Sequence, residues 1–310
     1  MIAASASLPF LFSTKARAQT SPLRIRLADV GSEGSLPFAY AMRTGLFARA
    51  GLQIERTKLS SGAAIAAAVA GQAIDIGNST ILSLIVGRSR GVPFTLVAPG
   101  SLWLTSSAGG LVVKSTSPLS VPSDFATKTL GTAAVNDINA ISVQAWLDQS
   151  GVDFQNVKFV EIPQPSALAA LDQGRIDGAL LSNPSFTVAI ASGKTRFVAN
   201  VYSAIAPRFL FTAWFSTTDW AQRNRVAAER FARVIADASA YVNMHPGEMT
   251  DDLVAYTGIE RSIALQMKRQ SFALSVAATD VQPVIDCAEK YKAIDKGFSA
   301  ATMINAGVSR

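Results

Sequence analysis

The chain of 310 residues contains one cysteine, Cys287, and one histidine, His245. A lone cysteine excludes an internal disulfide, and one Cys with one His cannot supply the ligands of the usual structural zinc site. His245 would have to be the base of any Ser-His-Asp or Cys-His device, and no G-x-S-x-G elbow accompanies it. The Met244-His245-Pro246-Gly247 turn and the helical stretch around Cys287 read instead as a surface imidazole and a packed thiol. The expectation is a protein that is not an enzyme, holding neither a metal nor a cofactor. No run of five or more Lys/Arg occurs, and the formal charge of +6, from 28 basic and 22 acidic residues, is modest. A nucleic-acid surface is therefore not expected. Beyond the N-terminus no apolar run approaches the roughly 18–20 residues that a membrane span needs.

What is present is core material. Hydrophobic residues make up 49% of the chain and charged ones 16%, enough to fold one large domain or two of medium size. Ile2 to Phe12 is apolar, and Ala16-Arg17-Ala18 ahead of Gln19 has the small-x-small form of a signal-peptidase site. Residues 1–18 thus read as an export signal, although a basic region ahead of Ile2 is missing; the alternative is an apolar N-terminal strand. Since no Cys follows the cleavage point, a free periplasmic protein is expected rather than a lipid-anchored one.

An internal echo at a spacing of about 100 residues organises the chain. The first copy reads as strand Leu23 to Ala28, a loop with Gly31, Gly34 and Ser35, and a helix from Pro37 to Phe47 broken by Gly51. Strand Gln53 to Thr57, helix Ala63 to Ala70 and strand Ala73 to Gly77 follow, ending at Asn78-Ser79. The second copy repeats the order with strand Thr129 to Ala133, loop Val135 to Asp137, helix Ile138 to Gln149 and strand Val157 to Ile162. Helix Ala167 to Asp172 and a strand ending near Ser182-Asn183-Pro184 complete it. Each copy is βαβαβ, which implies parallel strands and right-handed crossovers. Two long connections, through Thr95 to Val113 and through the apolar run Phe209 to Phe215, bracket the second copy. The expectation is an α/β protein of two lobes, residues 21–107 with 208–310 and an inserted lobe 108–207. Ligands of open α/β sheets bind beyond the carboxyl ends of the strands, so a cleft between the lobes is the expected site. C-terminal to Trp220 helices dominate. One carries an apolar stripe of Val226, Phe231, Val234 and Ile235, and others span about Met249 to Tyr256, Glu260 to Phe272 and Asp280 to Lys292, with no ligand role expected of them.

The loop Gly31-Ser32-Glu33-Gly34-Ser35-Leu36 fails both the Walker and the G-x-G-x-x-G spacings, leaving a small polar ligand or a plain turn. Asn136-Asp137-Ile138-Asn139 opens the matching helix; Asp137 is either its N-cap or a cleft carboxylate, which would favour a ligand with donor groups over a bare anion. Asp75 and Asp177 hold equivalent places in the echo and read as structural caps rather than as an acid/base pair. Asn78, Ser79 and Asn183 leave strands at the cleft end, where amides and hydroxyls both donate and accept. Trp103 with Thr105, and Trp214, can wall a ligand or pack a core.

The stretch from Pro37 to Glu55 resembles the "P-x-x-x-A-x-x-x-G-x-F-x-x-x-G-L-x-V-E" pattern of the periplasmic solute-binding proteins of ABC importers, of the nitrate, sulfonate and taurine type, which include thiamine-precursor binders. Ser61-Gly62, Gly71 to Gly77, Ala169-Ala170-Leu171 with Gly174 to Ala179, and Asn183-Pro184 extend the resemblance over nearly the whole mature chain. It implies a type II-like binding-protein fold, each lobe a mixed and mostly parallel sheet flanked by helices and the two joined by two crossovers. The implied role is capture of a small solute by a monomer that delivers it to a membrane permease and its ATPase. The implied contacts come from the loops after strands: Ser32, Gly34, Ser35, Leu36, Ser61, Gly62, Asn78, Ser79, Trp103, Thr105, Asn136, Asp137, Asn139, Asn183 and Trp214. The chain departs from the pattern in lacking both a Gly-Gly-x-x-Gly-Glu stretch and an evident cleft arginine, so a sulfonate, carboxylate or nitrogen heterocycle all remain open, with helix N-termini able to serve an anion. The rivals are a pyrimidine synthase-like enzyme and a sensory module that presents ligand to a receptor.

Overall fold

A computed structural model describes residues 21–305 apart from 107, 135 and 136. The expected export signal and Asn136 lie outside the described residues. In chain order the first part contains β1 (Leu23–Asp29), α1 (Leu36–Arg43), α2 (Leu46–Arg49), β2 (Leu52–Lys58), α3 (Gly62–Ala70), β3 (Ile76–Thr80), α4 (Ile81–Ser89), β4 (Phe94–Pro99) and β5 (Ser101–Leu104). The second contains β6 (Gly109–Lys114), β7 (Thr129–Thr132), α5 (Ile138–Gln149), β8 (Lys158–Glu161), α6 (Ala167–Asp172), β9 (Gly178–Ser182), α7 (Ser185–Ala191) and β10 (Thr195–Ala199). The chain ends with β11 (Arg208–Leu210), β12 (Thr212–Thr217), α8 (Thr218–Arg223), α9 (Arg225–Met244), α10 (Thr250–Thr257), α11 (Arg261–Gln266), β13 (Ser271–Phe272) and α12 (Ala278–Lys290).

The echo becomes two sheets of one design. The first runs β2-β1-β3-β12-β4 and the second β8-β7-β9-β6-β10. In each, three parallel strands from the βαβαβ unit are followed by one antiparallel strand, β12 or β6, delivered by a crossing between sheets. Asp75 and Asp177 perform one job in both copies. The Asp75 N–H donates to the Arg26 carbonyl and its carboxylate accepts the Arg26 N–H, both at 2.8 Å. Asp177 does the same with Thr129, also at 2.8 Å in both directions. Each acid therefore clamps the entrance of its lobe's middle strand, as the reading of them as structural caps required.

A third, small sheet, β11-β5-β13, sits where the chain passes between the two large ones. Here the outgoing and returning segments lie against one another: the Ser101 N–H donates to Thr212 Oγ1 at 3.0 Å and the Phe211 N–H to the Ser101 carbonyl at 2.8 Å. A Cβ on Gly100 would lie 2.3 Å from the Thr212 carbonyl oxygen, so only glycine permits this approach. Trp103, Tyr202 and Phe211 fill the junction, with ring centroids 4.2 Å apart for Trp103–Tyr202 and 5.6 Å for Trp103–Phe211. Opposite them α12 reaches across to α5, where Asp148 accepts from Lys290 Nζ at 2.7 Å and from the Tyr291 hydroxyl at 2.8 Å.

Several sequence expectations change. The single helix from Pro37 to Phe47 is two, because Gly45 adopts φ +73°. Helix α4 fills residues for which no element was expected. The apolar run Phe209 to Phe215 is shared between two sheets, and Val226 is 52% exposed, the buried stripe of α9 running instead through Ala227, Phe231, Val234, Ile235, Ala238 and Val242. The helix expected from Glu260 to Phe272 stops at Gln266, and the chain then turns inward. Among the described residues, no helix is long and apolar enough to cross a membrane.

Candidate functional site

The carboxyl ends of β1, β2 and β3 face those of β7, β8 and β9 across a cavity of about 210 Å³. Taking liquid water's share as about 30 Å³ per molecule, this room corresponds to about seven waters, which suits a small solute. Lobe 1 contributes Val30, Ser32, Glu33, Gly34, Gly62 and Asn78 to Thr80; lobe 2 contributes Ala133, Asp137 to Asn139, Gln164, Ser182 and Asn183. Phe211 and Thr212 come from the returning crossing, and Gln270 from the segment that follows α11.

The polar lining of the two lobes differs in kind. On lobe 2 the groups hold one another. Asp137 Oδ1 accepts the N–H of Asn139 and Ala140, at 2.9 and 3.1 Å, and the Thr132 hydroxyl at 2.9 Å. Its Oδ2 accepts Asn139 Nδ2 at 2.5 Å and the Ala134 N–H at 3.2 Å. Asp137 is thus both the N-cap of α5 and a wall of the cavity, and both halves of the sequence alternative hold. Its carboxyl is held above the usual carboxylate range, because burial outweighs the donated bonds. Asn139 Oδ1 in turn accepts the hydroxyl of buried Tyr202, and Gln164 Oε1 accepts the Ser182 N–H at 3.1 Å. Asn183 Nδ2 donates to the Lys268 carbonyl at 3.0 Å, a direct contact from lobe 2 to the segment after α11.

On lobe 1 the lining groups lack such partners. Glu33 Oε2, Asn78 Nδ2, Ser79 Oγ and Gln270 Oε1 are buried and form no hydrogen bond within the protein. Buried polar atoms left in this state cost about 1–3 kcal/mol each, so a cluster of them around one cavity marks a surface built to meet another molecule. Glu33 is 3% exposed. Its Oε1 accepts the Gln270 N–H at 3.1 Å, yet burial pushes the carboxyl up to about 7, offset only in part by that bond and by the charge of Arg269. Gly62 permits the crowding here, since a Cβ on it would lie 2.4 Å from Ser79 Oγ.

Of the residues singled out in the sequence, Ser32, Gly34, Gly62, Asn78, Ser79, Asp137, Asn139 and Asn183 converge on the cavity. Others stand elsewhere. Trp214 is 1% exposed and packs between Phe38 and Phe231, with centroids 5.3 and 5.5 Å away, so it is core rather than cleft wall. Leu36 is buried beneath α1 with Val242 and Leu253, and Ser35 is buried in the turn ahead of that helix. Ser61 caps α3, its Oγ accepting the Ala64 N–H at 3.2 Å. Trp103 packs in the junction, and Thr105 donates to the Pro207 carbonyl at its edge. Gln164, Ser182, Phe211, Thr212 and Gln270 escaped the sequence reading, which took in Glu33 only as part of the loop Gly31 to Leu36. Glu33 carried a usable signal as the one charged residue in the loop Gly31 to Leu36; Gln270 carried none, because helical periodicity appeared to continue past it.

Neither His245 nor Cys287 lines the cavity. The His245 ring stacks on Tyr241, and Nδ1 lies 2.9 Å from the Tyr241 carbonyl. Burial pushes the Cys287 thiol up to about 12. Native protein at pH 8 is therefore expected to resist a thiol reagent for hours and to react fully within minutes in denaturant; comparable rates in both would contradict this placement.

The sequence profile of the family described as NMT1/THI5 like matches residues 33–249. The taurine-binding periplasmic protein of Escherichia coli (strain K12) is 28% identical over 203 residues, which cover 65% of this chain and 62% of that protein, so the match spans less than two thirds of the relative. The crystal structure of the periplasmic aliphatic sulphonate binding protein SsuA from Escherichia coli superposes with a TM-score of 0.75 over 94% of each chain, at 16% identity. The desulfurization enzyme DSZB superposes with a TM-score of 0.67 over 91% of this chain and 96% of its own, at 12% identity. At these identities the likeness is one of fold, and it is the binding-protein fold that the resemblance implied, with the two lobes that the doubled βαβαβ pattern led one to expect.

Proposed function

The chain belongs to the NMT1/THI5-like family, and on that premise we propose that it is the extracytoplasmic solute-binding component of an ABC importer. It captures one small organic solute between its lobes and delivers it to a membrane permease and ATPase. The observation that carries this reading is the cavity at the facing strand ends, with Glu33, Asn78, Ser79 and Gln270 offering unpaired polar atoms. Residues 21–107 with 208–310 form one lobe and 108–207 the other, and the crossings at Gly100 and Thr212 form the hinge. Solute touching Ser32, Gly34, Gly62, Asn78 and Ser79 on one side and Asp137, Asn139 and Asn183 on the other favours the closed form only because it contacts both. The protein works as a periplasmic monomer.

Capture is favoured over catalysis by the composition of the lining. Its ionisable groups are Glu33 and Asp137, and Asp137 is already engaged by several donors, which leaves no base paired with a nucleophile. Calorimetric titration with small nitrogenous, sulfonated and carboxylated solutes should show one of them binding with 1:1 stoichiometry, and solution scattering should show the particle contracting as it binds. Turnover of a bound solute, or neither heat nor thermal shift from any of them, would contradict the proposal.

A further inference from the structure

We propose that the solute is held through a nitrogen: a protonated amine or a heterocyclic N–H donates to the Glu33 carboxylate, and an anionic group is not the feature recognised. The inference rests on the capture reading and narrows it to a chemical class.

Three observations converge. Among the described residues, the charged ones lining the cavity are Glu33 and Asp137, with no Lys, Arg or His beside them. An anion placed there would face two carboxylates and be repelled by them.

At the helices that open at the cavity, several first-turn N–H groups are already engaged within the protein. Those of α5 go to the Asp137 carboxylate, itself an anion in the position that a bound anion would take. In α3 the Ala64 N–H goes to Ser61 Oγ, and in α4 the Ile81 N–H goes to the Phe211 carbonyl at 3.0 Å. The anion site that the N-terminus of α5 offered in the sequence is thus filled from within.

The unpaired groups ask for a donor. Glu33 Oε2 and Gln270 Oε1 are acceptors only and belong to residues joined by the Gln270 N–H to Glu33 Oε1 bond. Asn78 Nδ2 is a donor and Ser79 Oγ can act either way, so a hydroxyl, carbonyl or unprotonated ring nitrogen elsewhere on the solute would complete the set. Arg269 faces Glu33 from outside the lining; its Nη2 donates to Thr250 Oγ1 at 2.9 Å, its Nη1 is buried without a hydrogen bond within the protein, and it offsets the Glu33 charge without hydrogen-bonding to it. Val30, Ile138 and Phe211 supply apolar wall for the carbon part of the solute.

The test uses probes built on one ethane backbone, together with one heterocycle. Taurine carries ammonium and sulfonate, ethanesulfonate the sulfonate alone, 2-aminoethanol the ammonium with a hydroxyl, and 4-aminopyrimidine an N–H-donating amino group on a heterocycle, beside ring-nitrogen acceptors. Calorimetry on the full chain at pH 8 should show 2-aminoethanol or 4-aminopyrimidine binding at least tenfold more tightly than ethanesulfonate. Glu33→Gln should weaken that nitrogen probe by about 10- to 100-fold, the range for a lost charge-assisted hydrogen bond, with unfolding still cooperative. Glu33→Asp should recover part of the loss. If Glu33 is the acceptor for an ammonium, lowering the pH of the wild type from 8 to 5.5 should weaken 2-aminoethanol, because Glu33 takes up a proton while Arg269 stays charged. Ethanesulfonate binding as tightly as the nitrogen probes, or Glu33→Gln leaving their affinity unchanged, would overturn this inference and leave solute capture standing. Failure of all four probes to bind would overturn the inference, and failure of the carboxylated solutes as well would overturn the capture reading with it.

Discussion

Glutamine in place of Glu33 is expected to stabilise the ligand-free protein by about 3 kcal/mol at pH 8 and to change nothing measurable at pH 4. The native carboxyl titrates at about 7 against a reference of 4.5, because it is buried without a full set of donors. At about 1.4 kcal/mol per unit, that difference sets the magnitude. The sign follows from proton counting. Between pH 4.5 and 7 the native state keeps the Glu33 proton while the unfolded chain has released it, so stability falls as pH rises through this window and the penalty is constant above it. Below 4.5 both states are protonated and Glu33 costs no more than a neutral amide. Urea unfolding of both proteins from pH 4 to 9 should give curves that coincide in acid and separate toward neutrality. Parallel curves would show that Glu33 is not the buried acid described. An acid kept in such a position at a cost to stability is characteristic of a binding site, where the group is held ready for a partner.

The second large effect separates core from cleft. Trp214→Ala should destabilise the protein by about 3–5 kcal/mol, the usual cost of removing a large aromatic side chain from a packed interior. Trp214 lies on β12 with its ring between Phe38 of α1 and Phe231 of α9, in the core those helices form with the sheet. Affinity for the best nitrogen probe should change by less than about threefold, since transfer of its contacts to solute is not part of the design. A variant of near-normal stability that no longer binds would instead return Trp214 to the cleft wall.

The fold was legible because it is written twice. A strand ending in a Gly- or Ser-rich loop, an amphipathic helix and a second and third strand recur at a fixed distance, and the equivalent aspartates Asp75 and Asp177 occupy the same joint in both copies. Helix α5 was bounded as Ile138–Gln149 from its Asp137 cap and its apolar spacing, and the structure gives it those ends. What periodicity could not give was where the chain changes layer. Phe209 to Phe215 is apolar apart from Thr212 because both strands there are buried, which hides the break at Phe211 that puts this ring on the cavity. Gly45 reads as one more small residue in a helix until its positive φ divides α1 from α2.

The site was legible in part, for a related reason. Residues at strand ends, such as Asn78, Ser79 and Asn183, are placed by topology alone. Gln270 reaches the cavity only because α11 stops at Gln266 and the following segment turns back to meet Glu33 and Asn183, a tertiary event with no local marker. Trp103 and Trp214 were ambiguous in the sequence because an indole serves a core and a binding wall equally well.

Native mass spectrometry of gently purified protein, compared with a cavity-filling variant from each lobe, tests the two-sided clasp most directly. Wild type should carry one small solute per chain, and Ser79→Trp in lobe 1 and Ser182→Trp in lobe 2 should each lose it while still unfolding cooperatively. Wild type without any such mass, or either variant retaining it, would contradict the account.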